Sequence, residues 1–404
     1  MFKLPKYNTI GKDEINSVTK ILKKGEISGF VASAGSSFYG GEWVRKLEKL
    51  FCKKFGVKYA VTVNSATSGL YSALMSQKLE PGDEVITSPY TMHATASSIL
   101  QCNAVPIFAD IEDKTFGLDP ISVKNKISKR TKGILAVNIF GHTCNLSELK
   151  KIAKKNNLFL IEDNSQGPGA KDKNGRFAGT IGDASIISLN RHKTIQCGEG
   201  GVILTNSKKI YDSCCLVRNH GEAVVRNYKI KDIRNTIGQN LSLTEIQAAI
   251  GYYQLKKLDK LNNARIKRAK VLNDLFKNIP CIETPFKHPK SKHVYYFYIM
   301  KFDESKSRIS RKNLVKKISK MGYNLRAGYI DPLYFEPIFQ KQICFGSKNF
   351  PFSINKNIKK DTYKKGACPN CEKINSKVLL TNMLNPEISV KDLKKFANEI
   401  IKLV

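Results

Sequence analysis

Short apolar runs alternate with polar, helix-patterned stretches from residue 59 to about 205. The runs Tyr59–Val63, Glu84–Ser88, Val105–Asp110, Gly133–Asn138, Leu158–Asp163, Ala184–Leu189 and Gly201–Thr205 are predicted strands. Most are continuously apolar rather than alternating, as strands covered on both faces must be. Between them, Thr67–Gln77 places Leu70, Ala73 and Leu74 on one helical face, and Leu146–Lys155 follows the helix-starting Asn145. This β-α-β rhythm predicts an α/β fold with a doubly wound, mainly parallel sheet.

After residue 206 the rhythm stops. A polar, irregular stretch spans 219–239, and a long helical pattern then runs from Thr244 towards Phe276, with Ile246, Ala249, Ile250, Tyr253 and Leu258 at three- and four-residue steps. Beyond 290 the chain predicts an aromatic-rich strand at Val294–Met300, a helix at Arg311–Met321 and a last helix at Val390–Val404. The lysine- and asparagine-rich Ser347–Lys365 reads as a surface loop. The expected organisation is a large α/β domain over 1–255, then a connecting helix and a smaller α+β domain over 256–404.

Composition changes this picture in one respect. The 404 residues are 41% hydrophobic, enough for a sizeable core, but Lys+Arg 68 against Asp+Glu 34 gives a net charge of +34. Such an excess suits nucleic acid or an anionic surface. Its quality argues otherwise. Lysine outnumbers arginine severalfold and is spread in pairs such as Lys23-Lys24 and Lys150-Lys151, without a long basic block. A lysine-decorated solvated surface is the simpler reading.

No apolar stretch near Met1 resembles a signal peptide, and no run is long enough to span a membrane. A cytoplasmic location is expected. Ten cysteines in a chain this long read as reduced, mostly buried thiols; the one CxxC, Cys368 to Cys371, has no second pair to complete a zinc site, so no metal is expected.

Ligands of open α/β sheets bind beyond the carboxyl ends of the strands. Three such ends carry chemistry. After the first strand, Asn64-Ser65-Ala66-Thr67-Ser68-Gly69 offers small residues at a helix start, where free N–H groups suit a phosphate. Asp163 ends the fifth strand, in Glu162-Asp163-Asn164-Ser165-Gln166-Gly167. Ser188 ends the sixth, followed by Leu189-Asn190-Arg191-His192-Lys193 and Gly198-Glu199-Gly200-Gly201. A lysine to bond an aldehyde, a carboxylate to keep a ring nitrogen protonated and a phosphate-ready helix start together suit pyridoxal phosphate.

These segments occur in order with Pro81-Gly82-Asp83-Glu84-Val85-Ile86, Pro89-Tyr90-Thr91, Phe140-Gly141-His142, Arg218-Asn219-His220-Gly221, Gly238-Gln239-Asn240 and Glu245 to Gly251. The set resembles the DegT/StrS-type sugar aminotransferases, which are fold-type-I pyridoxal-phosphate enzymes. The resemblance implies that fold, with a seven-stranded sheet, and a role for each matching position. Lys193 would bond the cofactor and shuttle protons. Asp163 would pair with the ring nitrogen and Gln166 with the phenolic oxygen. Ala66, Thr67 and Ser188 would hold the phosphate, and Asn190 belongs to the same cofactor-binding set. Asn240 would reach the phosphate of a neighbouring subunit, which makes a homodimer part of the site.

The chain departs from the pattern at three places. Met92 stands where the family usually sets an aromatic ring over the cofactor, although a thioether also packs on such a ring. His93 matches no family role and is a candidate substrate contact, as are His220, Arg326 and Tyr329. Leu241-Ser242-Leu243 replaces the usual Tyr-Arg-Met. Dehydrating family members carry histidine at the lysine position; counting from Ser188 puts Lys193, not His192, there, so amino transfer is favoured.

The implied reaction moves an amino group from an amino acid, expected to be glutamate, to a keto sugar linked to a nucleoside diphosphate. The alternatives are a keto acceptor without a nucleotide (octulosonate or cyclitol), a cofactor-dependent sugar dehydratase, or a basic binding or regulatory protein on an inactive scaffold.

Overall fold

The computed structural model describes residues 2–404. Two amphipathic helices, α1 (Lys12–Lys24) and α2 (Glu42–Phe55), come first. Each ends on a glycine in the left-handed region, Gly25 at φ 79° and Gly56 at φ 69°, the conformation glycine adopts most cheaply. Seven strands follow: β1 (Tyr59–Val63), β2 (Glu84–Thr87), β3 (Val105–Phe108), β4 (Thr131–Val137), β5 (Phe159–Asp163), β6 (Ala184–Ser188) and β7 (Gly201–Thr205). Between them run α3 (Ala66–Met75), α4 (His93–Gln101), α5 (Pro120–Lys126) and α6 (Leu146–Lys155), and α7 (Lys208–Arg218) closes the series.

The strands form one sheet in the order β1-β7-β6-β5-β4-β2-β3. β2–β3, β2–β4, β4–β5 and β5–β6 are parallel, whereas β7 is antiparallel to both β6 and β1. Six strands therefore run one way and β7 alone is reversed. The carboxyl ends of β1, β5 and β6 lie on one edge of the sheet, as the sequence pattern predicts. The start of β7 lies there too, with Gly201 paired to both Val63 and Ser188. A Cβ on Gly201 would sit 2.7 Å from the Ala66 nitrogen, so glycine is what lets the start of α3 close onto the sheet.

The 32-residue α8 (Glu245–Phe276) opens with a capping box in which Thr244 and Gln247 satisfy each other's backbone N–H groups. Its first half packs Ala248, Leu255 and Leu258 against α2 and the large sheet. Its second half gives Ala269, Leu272 and Phe276 to a separate core. That core belongs to a four-stranded antiparallel sheet of β8 (Ile282–Glu283), β9 (Tyr298–Phe302), β10 (Arg326–Ala327) and β11 (Val378–Thr381), in the order β10-β11-β9-β8. It also takes in α9 (Arg311–Lys320) and α12 (Val390–Leu403), while α10 (Pro337–Gln340) and α11 (Pro369–Lys377) lie between β10 and β11. Residue 255, the expected domain boundary, falls inside α8.

Two expectations change. The strand predicted at Val294–Met300 begins only at Tyr298. Residues 294–297 instead stand off the sheet, because the Val294 and Tyr296 N–H groups bond the Gly141 and Phe140 carbonyls at 2.9 Å. Ser347–Lys365 is more than a surface loop. It buries Phe352 and Tyr363, and the Tyr363 hydroxyl donates to the Pro106 carbonyl of β3 at 2.9 Å. β3 is an edge strand, so this segment covers an edge that would otherwise be open to pairing.

All ten cysteines are free thiols and eight are buried, in line with the sequence reading. Among the described residues no cluster could hold a metal ion, and no helix is long and apolar enough to cross a membrane.

Candidate active site

The sheet edge brings Lys193, Asp163, Gln166, Ser188 and the start of α3 together. Lys193 lies on the loop between β6 and β7, its N–H bonded to the Asn190 carbonyl at 2.9 Å. Its ammonium nitrogen sits 4.8 Å from the centre of the Tyr296 ring, a cation–π distance. Burial lowers the Lys193 pKa from its ordinary value, and the Asp163 carboxylate opposes that shift. Both causes act on a base: burial makes the neutral amine accessible, and the carboxylate keeps the proton within reach.

Asp163 is buried at the end of β5. Its Oδ2 accepts the Thr95 hydroxyl at 2.8 Å and its Oδ1 the Ser165 N–H at 3.1 Å. Thr95 is on the first turn of α4, so the helix start fixes the carboxylate. Gln166 is held from both ends. Its Oε1 accepts the Phe140 N–H at 2.9 Å, and its Nε2 donates to the Tyr329 hydroxyl at 3.1 Å. Burial pushes the Tyr329 phenol up to about 12, against the bond from Gln166, so it stays neutral at ordinary pH.

At the start of α3, Ser65 caps the helix by accepting the Ser68 N–H at 3.1 Å. The N–H groups of Ala66 and Thr67 have no intrahelical acceptor there, and the helix dipole favours an anion. Ser188 is buried at the end of β6, its oxygen accepting the Asn190 N–H at 3.3 Å.

The remaining predicted residues, Tyr329 excepted, make their polar contacts elsewhere. The Asn190 amide donates to both Glu199 carboxylate oxygens at 2.8 Å, so its bonds are to protein. Met92 is the N-cap of α4 and is 57% exposed. His93, beside it, meets the Glu336 carboxylate at 2.9 Å and thereby joins α4 to the segment before α10. Asn240 is exposed; its backbone bridges Asn219 and its side chain accepts the Ser242 N–H at 3.4 Å. His220 is in the left-handed region at φ 49°, half exposed, with Glu222 at 3.9 Å. Arg326 is exposed on β10, whereas Tyr329, two residues beyond that strand, enters the cluster through Gln166.

Sequence reasoning missed Tyr296, Thr95, Tyr7 and Arg265. The Tyr7 hydroxyl donates to the Thr194 carbonyl at 2.5 Å, beside Lys193. Buried Arg265 on α8 donates to the Tyr296 carbonyl at 3.3 Å and lies 5.6 Å from the Tyr7 ring. Only Tyr296 carried a signal, the aromatic run Tyr295-Tyr296-Phe297-Tyr298, and that run reads equally well as core.

A half-buried lysine beside a strand-end carboxylate, on an α/β sheet with a phosphate-ready helix start, suits an enzyme that bonds a carbonyl compound through lysine. The description of the DegT/DnrJ/EryC1/StrS aminotransferase family matches residues 8–356, and the chain belongs to that family.

Among its relatives is the spore coat polysaccharide biosynthesis protein SpsC of Bacillus subtilis, 32% identical over 354 residues, 86% of this chain and 87% of the relative. The GDP-perosamine synthase of Escherichia coli O157:H7 is 37% identical over 261 residues, 64% of this chain and 69% of that one. The fold is that of an aminotransferase from Psychrobacter cryohalolentis, at a TM-score of 0.83 and 23% identity over 98% of this chain and 97% of that one. It is also that of the E coli GDP-4-keto-6-deoxy-D-mannose-3-dehydratase, at 0.78 and 24% over 99% of both.

Proposed function

We propose that this protein is a pyridoxal-phosphate-dependent aminotransferase that moves an amino group from an amino acid, glutamate by preference, to a nucleotide-linked keto-deoxysugar. The reaction would serve amino-sugar or surface-polysaccharide biosynthesis in the cytoplasm. The observation that carries the reading is the Lys193–Asp163 arrangement. It supports the reading because a lysine, rather than the histidine of the family's dehydrating members, stands at the position matched to the base.

The residues fit the cofactor by their chemistry. A half-buried amine would meet its aldehyde, a buried carboxylate its ring nitrogen, an amide its phenolic oxygen and a helix start with a buried serine its phosphate. When bound, the cofactor supplies an electron-withdrawing ring that makes the proton on the adjacent amine-bearing carbon removable.

The protein's share is positional. Lys193, as a neutral amine, would accept that proton and deliver it to the carbon on the other side of the amine nitrogen, so one base would serve both directions. The Tyr296 ring steadies its ammonium form between the two transfers. Gln166, pinned by Phe140 and Tyr329, presents its amide to the phenolic oxygen. Met92 would cover the ring face, and His93, His220, Arg326 and Tyr329 are proposed to meet the sugar.

The partner in this reading is a second copy of the chain, with Asn240 reaching across to the neighbour's phosphate. In support, Asn240 shares its segment with the exposed apolar side chains Ile233 and Ile237. Mixing Lys193→Ala and Asn240→Ala subunits, each inactive alone, should restore part of the activity by forming one intact site per mixed dimer.

The deciding assay supplies glutamate and a panel of nucleotide-linked and free keto sugars, with 2-oxoglutarate and amino sugar measured together. Stoichiometric appearance of both is expected. Consumption of the sugar without consumption of donor would make the protein a dehydratase. Purified protein should absorb visible light through its bound cofactor, and Lys193→Ala should remove that band; a colourless native protein retained on DNA in a salt-sensitive way would point to a binding function instead.

A further inference from the structure

Fifteen large apolar side chains are exposed along the chain, and five of them fall within residues 335–354. The same stretch carries a second bias. From Pro337 to Lys360 there are five lysines and no carboxylate. All five lysines are exposed, and the acids on either flank are already engaged, Glu336 by His93 at 2.9 Å and Asp361 by Lys364 at 3.1 Å.

The inward side of this stretch is anchored on the sheet. Phe339 sets its ring 5.1 Å from that of Phe108 at the end of β3, Phe352 is buried, and the Asn355 amide donates to the Glu84 carboxylate at 2.9 Å. The outward side is held as one unit. The Ile343 N–H bonds the Ile338 carbonyl at 3.1 Å, and the Phe345 N–H bonds the Phe350 carbonyl at 2.9 Å across a turn that contains Lys348. The Gln342 amide donates to the Lys359 carbonyl at 2.6 Å. Ile338, Ile343 and Phe345, which are 36%, 49% and 44% exposed, are thereby kept in water among cations by a fixed backbone.

Apolar side chains and lysines presented together match an anionic bilayer, whose acyl chains take the first and whose headgroup phosphates take the second. A nucleic-acid strand would satisfy the lysines and leave the isoleucines in water. A second copy in twofold contact would set the same lysines against one another, with no carboxylate between them. The stretch is also remote from the segment proposed to reach a neighbouring subunit. That segment hangs from β1, where the Leu241 carbonyl accepts the Asn64 N–H at 2.8 Å, and five strands separate β1 from β3.

We infer that residues 338–360 form a peripheral docking surface for a bilayer rich in anionic lipid. Ile338, Ile343 and Phe345 enter the acyl boundary, and the lysines meet the headgroups. The surface is independent of the reaction proposed for Lys193, since none of these residues belongs to that cluster.

Sedimentation of the holoenzyme with vesicles tests the inference, using phosphatidylcholine alone and phosphatidylcholine with about 30% phosphatidylglycerol, at about 0.15 M salt. Binding to the second and not to the first is expected. A chain carrying +34 adheres to anions in general, so the location of the effect decides. Ile343→Ser with Phe345→Ser should weaken partition by about 10-fold or more. Lys341→Gln with Lys348→Gln should weaken it by about 25-fold, about fivefold per lysine. Lys316→Gln with Lys320→Gln, on an α9 face without an exposed large apolar side chain, should change it by less than about threefold. A second reading is Phe345→Trp, whose emission brominated acyl chains should quench beyond that of Trp43 in the wild type. The inference is overturned by binding to neither vesicle or to both alike, by no loss in the Ile343 and Phe345 pair, by an equal loss in the Lys316 and Lys320 pair, or by an unquenched Phe345→Trp signal. A changed mass of the lipid-free protein in the Ile343 and Phe345 pair would also overturn it, because the patch would then cover another copy of the chain.

Discussion

The ion pair between Glu48 and Arg218 gives the sharpest energetic test of how the site is built. Arg218 is fully buried, and its guanidinium donates to Glu48 Oε1 at 2.8 Å and to the Thr62 carbonyl at 3.2 Å, 4.7 Å from the Phe30 ring. The same Glu48 oxygen accepts the Thr62 N–H at 2.8 Å and its hydroxyl at 3.0 Å. Burial pushes the Glu48 carboxyl up, against Arg218 and Thr62. Replacing Glu48 by leucine leaves a guanidinium with no countercharge at the centre of the domain, and the expected cost is about 3 to 5 kcal/mol. Glu48→Gln keeps an acceptor but loses the charge, for about 1.5 to 3 kcal/mol. Replacing both partners by apolar residues of similar volume should recover most of the loss, because neither charge then needs the other.

Urea denaturation of the holoenzyme at one fixed protein concentration measures the cycle. A coupling energy of about 2 kcal/mol or more is expected between the pair. The consequence reaches the site. The Arg218 carbonyl accepts the Leu241 N–H at 2.9 Å, and the next residue, Asn219, bridges Asn240, so the pair underpins the segment proposed to reach a neighbouring subunit. Glu48→Leu should therefore also release cofactor more readily. A cost below about 1 kcal/mol, or single-variant losses that add in the double variant, would refute the reasoning, since both would mean the buried charges do not need each other.

Three further outcomes are expected. Burial lowers the His142 pKa to about 4 from 6.5, so its contribution to stability is complete above pH 6.5 and lost as pH falls towards 4. The stability difference between wild type and His142→Leu should shrink by about 3 kcal/mol across that window, and a flat difference would dismiss the effect. Tyr329→Phe frees one end of Gln166 and should weaken equilibrium cofactor binding by about 2- to 10-fold, the worth of one hydrogen bond; a change under twofold would mean that Phe140 alone sets the amide. Tyr7→Phe removes the bond to the Thr194 carbonyl, and hydrogen exchange should quicken across residues 193–197 while other strand ends stay protected; uniform exchange would show that the strap does not hold this loop.

How much of this was legible follows from where each signal resides. All seven strands of the large sheet stood out because burial on both faces leaves an uninterrupted apolar run, and Asp163 and Ser188 stood out because a strand end is a place as well as a residue type. The reversed β7 was not legible, since antiparallel and parallel central strands share the same apolar pattern. Thr95 and Tyr296 were not legible either. Thr95 reads as an ordinary first-turn residue, and Tyr296 touches Lys193 only because two turn carbonyls hold 294–297 off the sheet. Asn190 is the opposite case: its neighbourhood in sequence suggested the cofactor, and in the structure its amide donates to Glu199, nine residues on.

In a chain with 34 more basic than acidic residues, no lysine is informative by its type. What distinguishes Lys193 is the cost of its surroundings. Lys46 and Lys208 also lie near aromatic rings, but at the surface, each with an acidic partner at 2.5 Å. Lys193 sits within cation–π distance of Tyr296, under a burial penalty that the Asp163 carboxylate offsets in part. A merely structural lysine would relax to water, because burying an ammonium this way stabilises nothing by itself. The loop holds it inward through Asn190, Tyr7 and the α8 residues behind them, and such maintained strain is expected of a group whose proton must move. The broad positive charge therefore says little about the reaction, whereas one lysine, made less basic by its place, is the residue proposed to carry it.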